Sequence, residues 1–386
     1  MLGYTNVYAP ILDVGRDQRW GRYEEVYSES PYLVAELGIE MVRGLQHNHQ
    51  VAATAKHFAA YSNNKGAREG MARVDPQMPP REVENIHIYP FKRVIREAGM
   101  LGVMSSYNDY DGIPMQGSYY WLTTRLRGEM GFRGYVVSDS DAVEYLYTKH
   151  GTAKDMKEAV RQSVKAGLNV RCTFRSPDSF VLPLRELVKE GGLSEEVIND
   201  RVRDILRVKF LIGLFDAPYQ TDLAGADREV EKEENEAIAL QASRESIVLL
   251  KNAGELLPLD INSTKKIAVC GPNANEEGYA LTHYGPLAVE VTTVLEGIQE
   301  KTKGKAEVLY TKGCDLVDAH WPESEIIDYP LTDDEQAEID KAVENARQAD
   351  VAVVVLGGGQ RTCGENKSRT SLDLPGRQLQ LLQAIQ

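Results

Sequence analysis

Between Gly134 and Asp141 the chain reads Gly-Tyr-Val-Val-Ser-Asp-Ser-Asp, a short β-branched apolar run that ends in carboxylates. Entered through the turn residues Gly131 and Gly134, such a run suits a parallel strand covered on both faces. Ser138 and Asp139 then fall at its carboxyl end. In an eight-stranded α/β barrel that rim carries the active site, which makes Asp139 a candidate functional residue. The plain alternative is that Ser138 and Asp139 cap the helix that follows, as Ser and Asp commonly do.

The residues around this stretch predict neighbours for the strand. Asn6 to Asp13, Val51 to Phe58, Leu101 to Ser106 and Leu168 to Cys172 have strand character. Helical periodicity marks Pro31 to Leu45, Arg81 to Ala98, Trp121 to Met130, Asp155 to Ala166 and Leu193 to Leu211. Strands alternating with helices predict a parallel sheet. Only five strand candidates precede Phe215, against the eight of a closed barrel. Beyond Phe215 the run Glu229-Val-Glu-Lys-Glu-Glu234 reads as a solvated connector, so a first domain is expected over 1–218, a linker over 219–235 and a second domain over 236–386. The second carries helix Ala237 to Lys251, strand Lys266 to Cys270, a helix near Val291 to Lys301, strand Glu307 to Tyr310, helix Asp333 to Gln348, strand Val351 to Gly357 and helix Pro375 to Ile385. It reads as a smaller α/β unit.

The 386 residues suit two or three domains. With 44 basic and 58 acidic residues the net charge is −14, which argues against a nucleic-acid or anionic-membrane partner and favours a neutral or small substrate. No apolar run of about 18 residues occurs, and Met1 is followed by neither a basic nor an apolar leader region. Cys172, Cys270, Cys314 and Cys363 are widely spaced and form no CxxC pair, so no zinc or other metal site and no disulfide framework is expected, only buried free thiols.

Four motifs carry candidate chemistry, each at or just beyond the carboxyl end of an expected strand. They are Arg19-Trp20-Gly21-Arg22 with Glu25 and Glu29 behind it, Ala55-Lys56-His57-Phe58, Met104-Ser105-Ser106-Tyr107-Asn108, and Val137-Ser138-Asp139. Taken singly, each has a structural explanation: Arg22 paired with a glutamate, Lys56 as a surface charge, His57 as a satisfied core histidine, Tyr107 as packing.

In order and spacing these motifs resemble glycoside hydrolase family 3, the retaining β-glucosidases, β-xylosidases and their relatives. The resemblance runs from Val7 to Gln386 and includes Ile205 to Phe215 and Ser243 to Asn252. It implies a (β/α)8 TIM-type barrel, incomplete at its N-terminus, followed by an α/β sandwich incomplete at its C-terminus. It implies an exo-acting retaining β-glycosidase, most like a β-glucosidase, with Asp139 as the nucleophile that forms a covalent glycosyl intermediate. Arg22, Lys56 and His57 match residues that grip sugar hydroxyls in the −1 subsite, and charged donors suit that task. Tyr107 matches a tyrosine that lies beside the nucleophile and helps keep it ionised. A retaining glycosidase also needs a general acid about 5–5.5 Å from the nucleophile. In the family a loop of the second domain supplies it, and Glu365, with Arg369 four residues on, fits that pattern here; the plain alternative is a solvated loop glutamate.

The chain departs from the family in having Ser140, not an aromatic residue, directly after the nucleophile. The family's early specificity carboxylate, near a His-Gly pair, is expected before Met1, so the chain reads as truncated at both ends, with the first strand exposing an unpaired edge. The resemblance implies no cofactor, a glycoside or oligosaccharide substrate, and a periplasmic or secreted location, and it leaves homo-oligomerisation open. A β-xylosidase and a non-catalytic carbohydrate-binding relative are the alternatives. The hexosaminidase branch is disfavoured, because Ala59 to Val74 contains no histidine.

Overall fold

The structure is a computed structural model that describes residues 3–63, 75–217, 223–230, 232–278, 284–285 and 290–386. It divides into two compact units, Met1–Gln241 and Ala242–Gln386.

In the first unit four parallel strands stand in chain order: β1 (Asn6–Val7), β2 (Ala52–Phe58), β3 (Gly102–Ser105) and β4 (Tyr135–Ser138). A helical segment follows each, the β/α alternation of a TIM-type barrel. All four residues of β4 are buried, as its unbroken apolar run demands. Gly134 enters the strand because a Cβ there would lie 2.0 Å from the Leu101 carbonyl oxygen, closer than any side chain tolerates. The main core, with Leu12, Phe58, Phe91, Leu122, Val136 and Leu146 among its members, fills the space between sheet and helices.

Among the described residues this sheet is open: β1 pairs with β2 alone. The first expected strand is also shorter than Asn6 to Asp13. Pro10 has no N–H to give, so the regular ladder ends at Val7. The chain nevertheless stays alongside β2, with Lys56 N–H donating to the Pro10 carbonyl (3.0 Å) and Leu12 N–H to the Lys56 carbonyl (2.6 Å). Leu168 to Cys172 contributes one bridge, Val137 to Val170, and no regular strand. There the Cys172 N–H turns to the Ser138 hydroxyl (3.0 Å) instead of a ladder carbonyl.

The helix expected over Arg81 to Ala98 is composite. A turn at Pro80–Glu82 widens into π-type winding over Val83–Ile88 before regular α-helix resumes at Tyr89–Ala98. Pro90 cannot donate to the preceding turn, and a wider turn is one way for a helix to absorb that loss. Ala142–Thr148 is the helix that follows Asp139, while Asp178–Lys189, whose apparent period Pro183 interrupts, had no expectation from the sequence, and a further helix, Leu223–Val230, stands in the stretch expected to be linker.

The second unit has three parallel strands, with β5 (Lys266–Cys270) between β6 (Glu307–Thr311) and β7 (Val351–Val354). Successive residues of β5 face opposite layers. Ile267 and Val269 pack with Leu295 of the helix Val294–Thr302, while Cys270 packs with Ile339, Ala342 and Leu381 of the helices Asp333–Arg347 and Gln378–Ile385. This is a helix–sheet–helix sandwich. The helices Val294–Thr302 and Asp333–Arg347 begin with capping boxes, Thr293 with Glu296 and Thr332 with Glu335. The helix expected over Ala237 to Lys251 runs instead over Glu233–Ser246, and Ile247 to Leu250 follow as exposed chain outside any helix or strand. All four cysteines are free thiols; Cys270 and Cys314 are buried, but Cys172 and Cys363 are only half-buried, since both stand on connecting segments.

Candidate active site

The carboxyl ends of the adjacent strands bring one polar cluster together. The extension of β1 carries Asp13, β2 carries Lys56 and His57, the segment after β3 carries Tyr107, and the residue after β4 is Asp139. A short 3-10 segment, Gly21–Glu25, supplies Arg22.

Asp139 does not cap the following helix. The N-cap of Ala142–Thr148 is Asp141, held in the left-handed region at φ 56°, and the Ser138 hydroxyl is engaged by the Cys172 N–H. The Asp139 carboxylate accepts the Ser140 N–H through Oδ1 (2.7 Å), and its Oδ2 lies 3.5 Å from His57 Nε2. On the other side of the ring, His57 Nδ1 lies 2.6 Å from Asp13 Oδ2, which also accepts the His57 backbone N–H at 3.2 Å. The imidazole therefore bridges two carboxylates while being almost wholly buried, as is Asp13.

Burial dominates the electrostatics here. It pushes the Asp13 carboxyl up from its ordinary 3.8 to about 7, against the Arg22 charge, which acts the other way. It also holds the His57 imidazole well below its ordinary value, helped by the nearby Arg22 and Lys56 cations. Together these shifts favour a neutral Asp13–His57 pair over an ion pair. Lys56, half-buried at the sheet end and not a surface charge, is lowered by burial and then by Arg22, while Glu25, Asp139 and Asp13 pull it back up.

Arg22 is buried and forks onto Glu25, with Nε to Oε1 at 2.6 Å and Nη2 to Oε2 at 2.9 Å. The glutamate pairing considered from the sequence is thus present, and it fixes the guanidinium within this same cluster. Arg22 also stands over the Tyr61 ring (5.6 Å), which meets Trp20, His57 and Tyr107 edge-on at 5.4, 5.0 and 5.9 Å. Because a buried ion pair that loses one member leaves the other in a low-dielectric site, Glu25→Ala is expected to cost about 3–5 kcal/mol of stability. Urea unfolding checks this, and a midpoint unchanged from wild type would refute it.

Tyr107 packs as expected but its hydroxyl donates to the Ser140 carbonyl (2.9 Å). Through this bond Tyr107 holds the backbone beside Asp139. Further ties of this kind surround it: the Ser106 hydroxyl and the Asn108 amide each donate to the Ala59 carbonyl at 3.2 Å, and His150 Nε2 meets the Tyr107 carbonyl at 3.0 Å.

Glu365 belongs to the second unit, on the loop after β7, half-buried, with Oε2 accepting from the Tyr284 hydroxyl at 2.9 Å. Arg369, the other half of the sequence pattern, pairs with Glu325 (2.6 Å) and lies 5.4 Å from the Trp321 ring centre. Asp13 and Tyr61 carry no expected role from the sequence, whereas Glu25 is the glutamate partner considered there for Arg22. For Asp13 the one trace in the sequence is that it closes an apolar run, as Asp139 follows β4 directly. Among the described residues no group of three or more His, Cys, Asp or Glu side chains could hold a metal ion.

Residues 1–208 match the glycosyl hydrolase family 3 N terminal domain, and residues 247–386 match the family's C-terminal domain. A β-xylosidase of Formosa agariphila is 34% identical over 100% of this chain and 53% of its own length. A periplasmic β-glucosidase of Salmonella typhimurium is 34% identical over 99% of this chain and 51% of its own. Among solved structures, the β-glucosidase from Listeria innocua in complex with glucose superposes with a TM-score of 0.84 at 32% identity, covering 99% of this chain and 50% of that one. The chain spans about half the length of the curated relatives it matches.

Proposed function

The chain belongs to glycosyl hydrolase family 3, and on that footing we propose that it serves a retaining, exo-acting β-glycosidase that releases terminal non-reducing β-linked sugars, with β-glucosides as substrates. The observation that carries the reading is the position of Asp139 at the end of β4, its Oδ2 3.5 Å from His57 Nε2, in one cluster with Lys56 and Arg22. β-Xylosides are the second reading, favoured by a β-xylosidase relative at the same 34% identity as the β-glucosidase.

In this mechanism Asp139 attacks the anomeric carbon while Glu365 gives its proton to the departing glycosidic oxygen. The C–O bond to the leaving group breaks and a glycosyl–Asp139 ester forms. Glu365, now ionised, takes a proton from water, which hydrolyses the ester with net retention and returns both carboxyl groups to their starting states. Lys56 and His57 bind sugar hydroxyls, and the Glu25 fork keeps the Arg22 charge beside them.

A mechanism-based inactivator tests this reading. Incubation with 2-deoxy-2-fluoro-β-glucosyl and β-xylosyl fluorides, followed by peptide mass analysis, is expected to find one sugar per chain on the peptide containing Asp139, with the faster of the two reagents identifying the sugar. A label on any other carboxylate, or a product of inverted configuration, would overturn the assignment.

A further inference from the structure

We propose that Asp13 is a positioning residue that, through His57 Nδ1, sets which imidazole nitrogen carries a proton and so what Nε2 offers to Asp139 and to a bound sugar hydroxyl. The inference rests on the proposed role of Asp139 but concerns a residue one step behind it.

The geometry allows two arrangements. When the pair holds two protons in its neutral form, the Asp13 carboxyl donates to Nδ1 across the 2.6 Å contact, and the second proton sits on Nε2, facing Asp139 Oδ2 at 3.5 Å. When one proton leaves, the shared proton passes from Asp13 to Nδ1, Nε2 is bare, and it becomes an acceptor. Throughout, Asp13 Oδ2 keeps the His57 backbone N–H at 3.2 Å, so the ring stays in place while its tautomer changes. Neither residue is close to bulk solvent, both being 1% exposed.

Other charged groups set where the exchange occurs. Arg22 and Lys56 favour the ionised Asp13 and Glu25 opposes it, while Asp139 stands against Nε2. Burial outweighs them and places the Asp13 titration at about 7, with the imidazolium disfavoured. The sign follows: below that pH Nε2 carries hydrogen and is a donor toward the nucleophile, and above it Nε2 is a lone pair open to a sugar hydroxyl.

The test is nitrogen NMR of histidine-labelled intact protein between pH 5 and 9, with the His57 signals assigned by their loss in His57→Gln. In wild type, Nε2 is expected to pass from the protonated to the unprotonated range with a midpoint near 7, while Nδ1 makes the opposite change. In Asp13→Asn the amide oxygen must still accept the His57 backbone N–H, so it also keeps the Nδ1 hydrogen; His57 is expected to hold that tautomer at every pH, and the limb near pH 7 in the kcat/KM profile to vanish. A single unchanging tautomer in wild type, or the same titration in Asp13→Asn, would overturn the proposal. The wild-type titration decides the matter even if the variant does not fold. Fluorosugar labelling of the same wild-type sample separates the two readings: a tautomer change without label on Asp139 refutes the glycosidase assignment alone, and label without the change refutes only the role of Asp13.

Discussion

Asp139→Asn is expected to lower kcat/KM on the order of 10⁵-fold, and to do so equally for a disaccharide and for an activated aryl glycoside. The amide is nearly isosteric with the carboxylate and its oxygen can still accept the Ser140 N–H, now held at 2.7 Å, so the loss reports chemistry and not collapse of the β4 tip. An activated leaving group relieves the need for a proton, but it supplies no nucleophile, and the covalent route is closed to both substrates. Measuring the two on one preparation of the intact enzyme is decisive: retention of more than about a tenth of the aryl-glycosidase activity would remove Asp139 from its proposed role.

Glu365→Ala should behave differently because it divides the two half-reactions. General acid–base help is worth about 10²–10⁴-fold, and a disaccharide needs it to expel its leaving group. An aryl glycoside with an acidic leaving group forms the glycosyl–Asp139 ester without it and then stalls, since water lacks its base. The variant should therefore show a burst of aryl release, a depressed steady rate, and restoration by azide, an anionic nucleophile that needs no deprotonation, with a glycosyl azide of retained configuration as product. Tyr284→Phe, which removes the hydroxyl that donates to Glu365 Oε2, should show neither burst nor azide response. Equal losses on disaccharide and aryl glycoside, without azide response, would place the acid elsewhere and leave Glu365 as a loop residue.

What could be read from the sequence was whatever depended on runs of like residues. The Val136-Val137 run announced β4, and the alternation of Ile267 and Val269 with Cys270 belongs to a strand that was found to the residue. Pairing that hangs on single atoms was not legible. Pro10 cut short the ladder of the first strand, and the Ser138 hydroxyl replaced a carbonyl opposite Cys172, so two expected strands became extended chain held by isolated bonds. Apolar period likewise located the 80–98 helix but not its wide turn, which keeps the same buried face. In the site, Lys56, His57 and Asp139 stood out through their neighbours. Asp13 did not, because a carboxylate at the end of an apolar run looks the same whether it meets water or a buried imidazole.

The bonds that tie the rim together run from side chains to main-chain carbonyls: Tyr107 to Ser140, Ser106 and Asn108 to Ala59, His150 to Tyr107. Every amino acid presents a carbonyl, so the accepting positions are indifferent to what side chain they bear. Ser140, where the family resemblance leads one to expect an aromatic residue, is such a position. A different side chain at this position leaves the hydrogen bond from Tyr107 to the backbone, and with it the tie at the strand tip, in place. The arrangement leaves position 140 free to change its side chain while the backbone beside Asp139 stays tied.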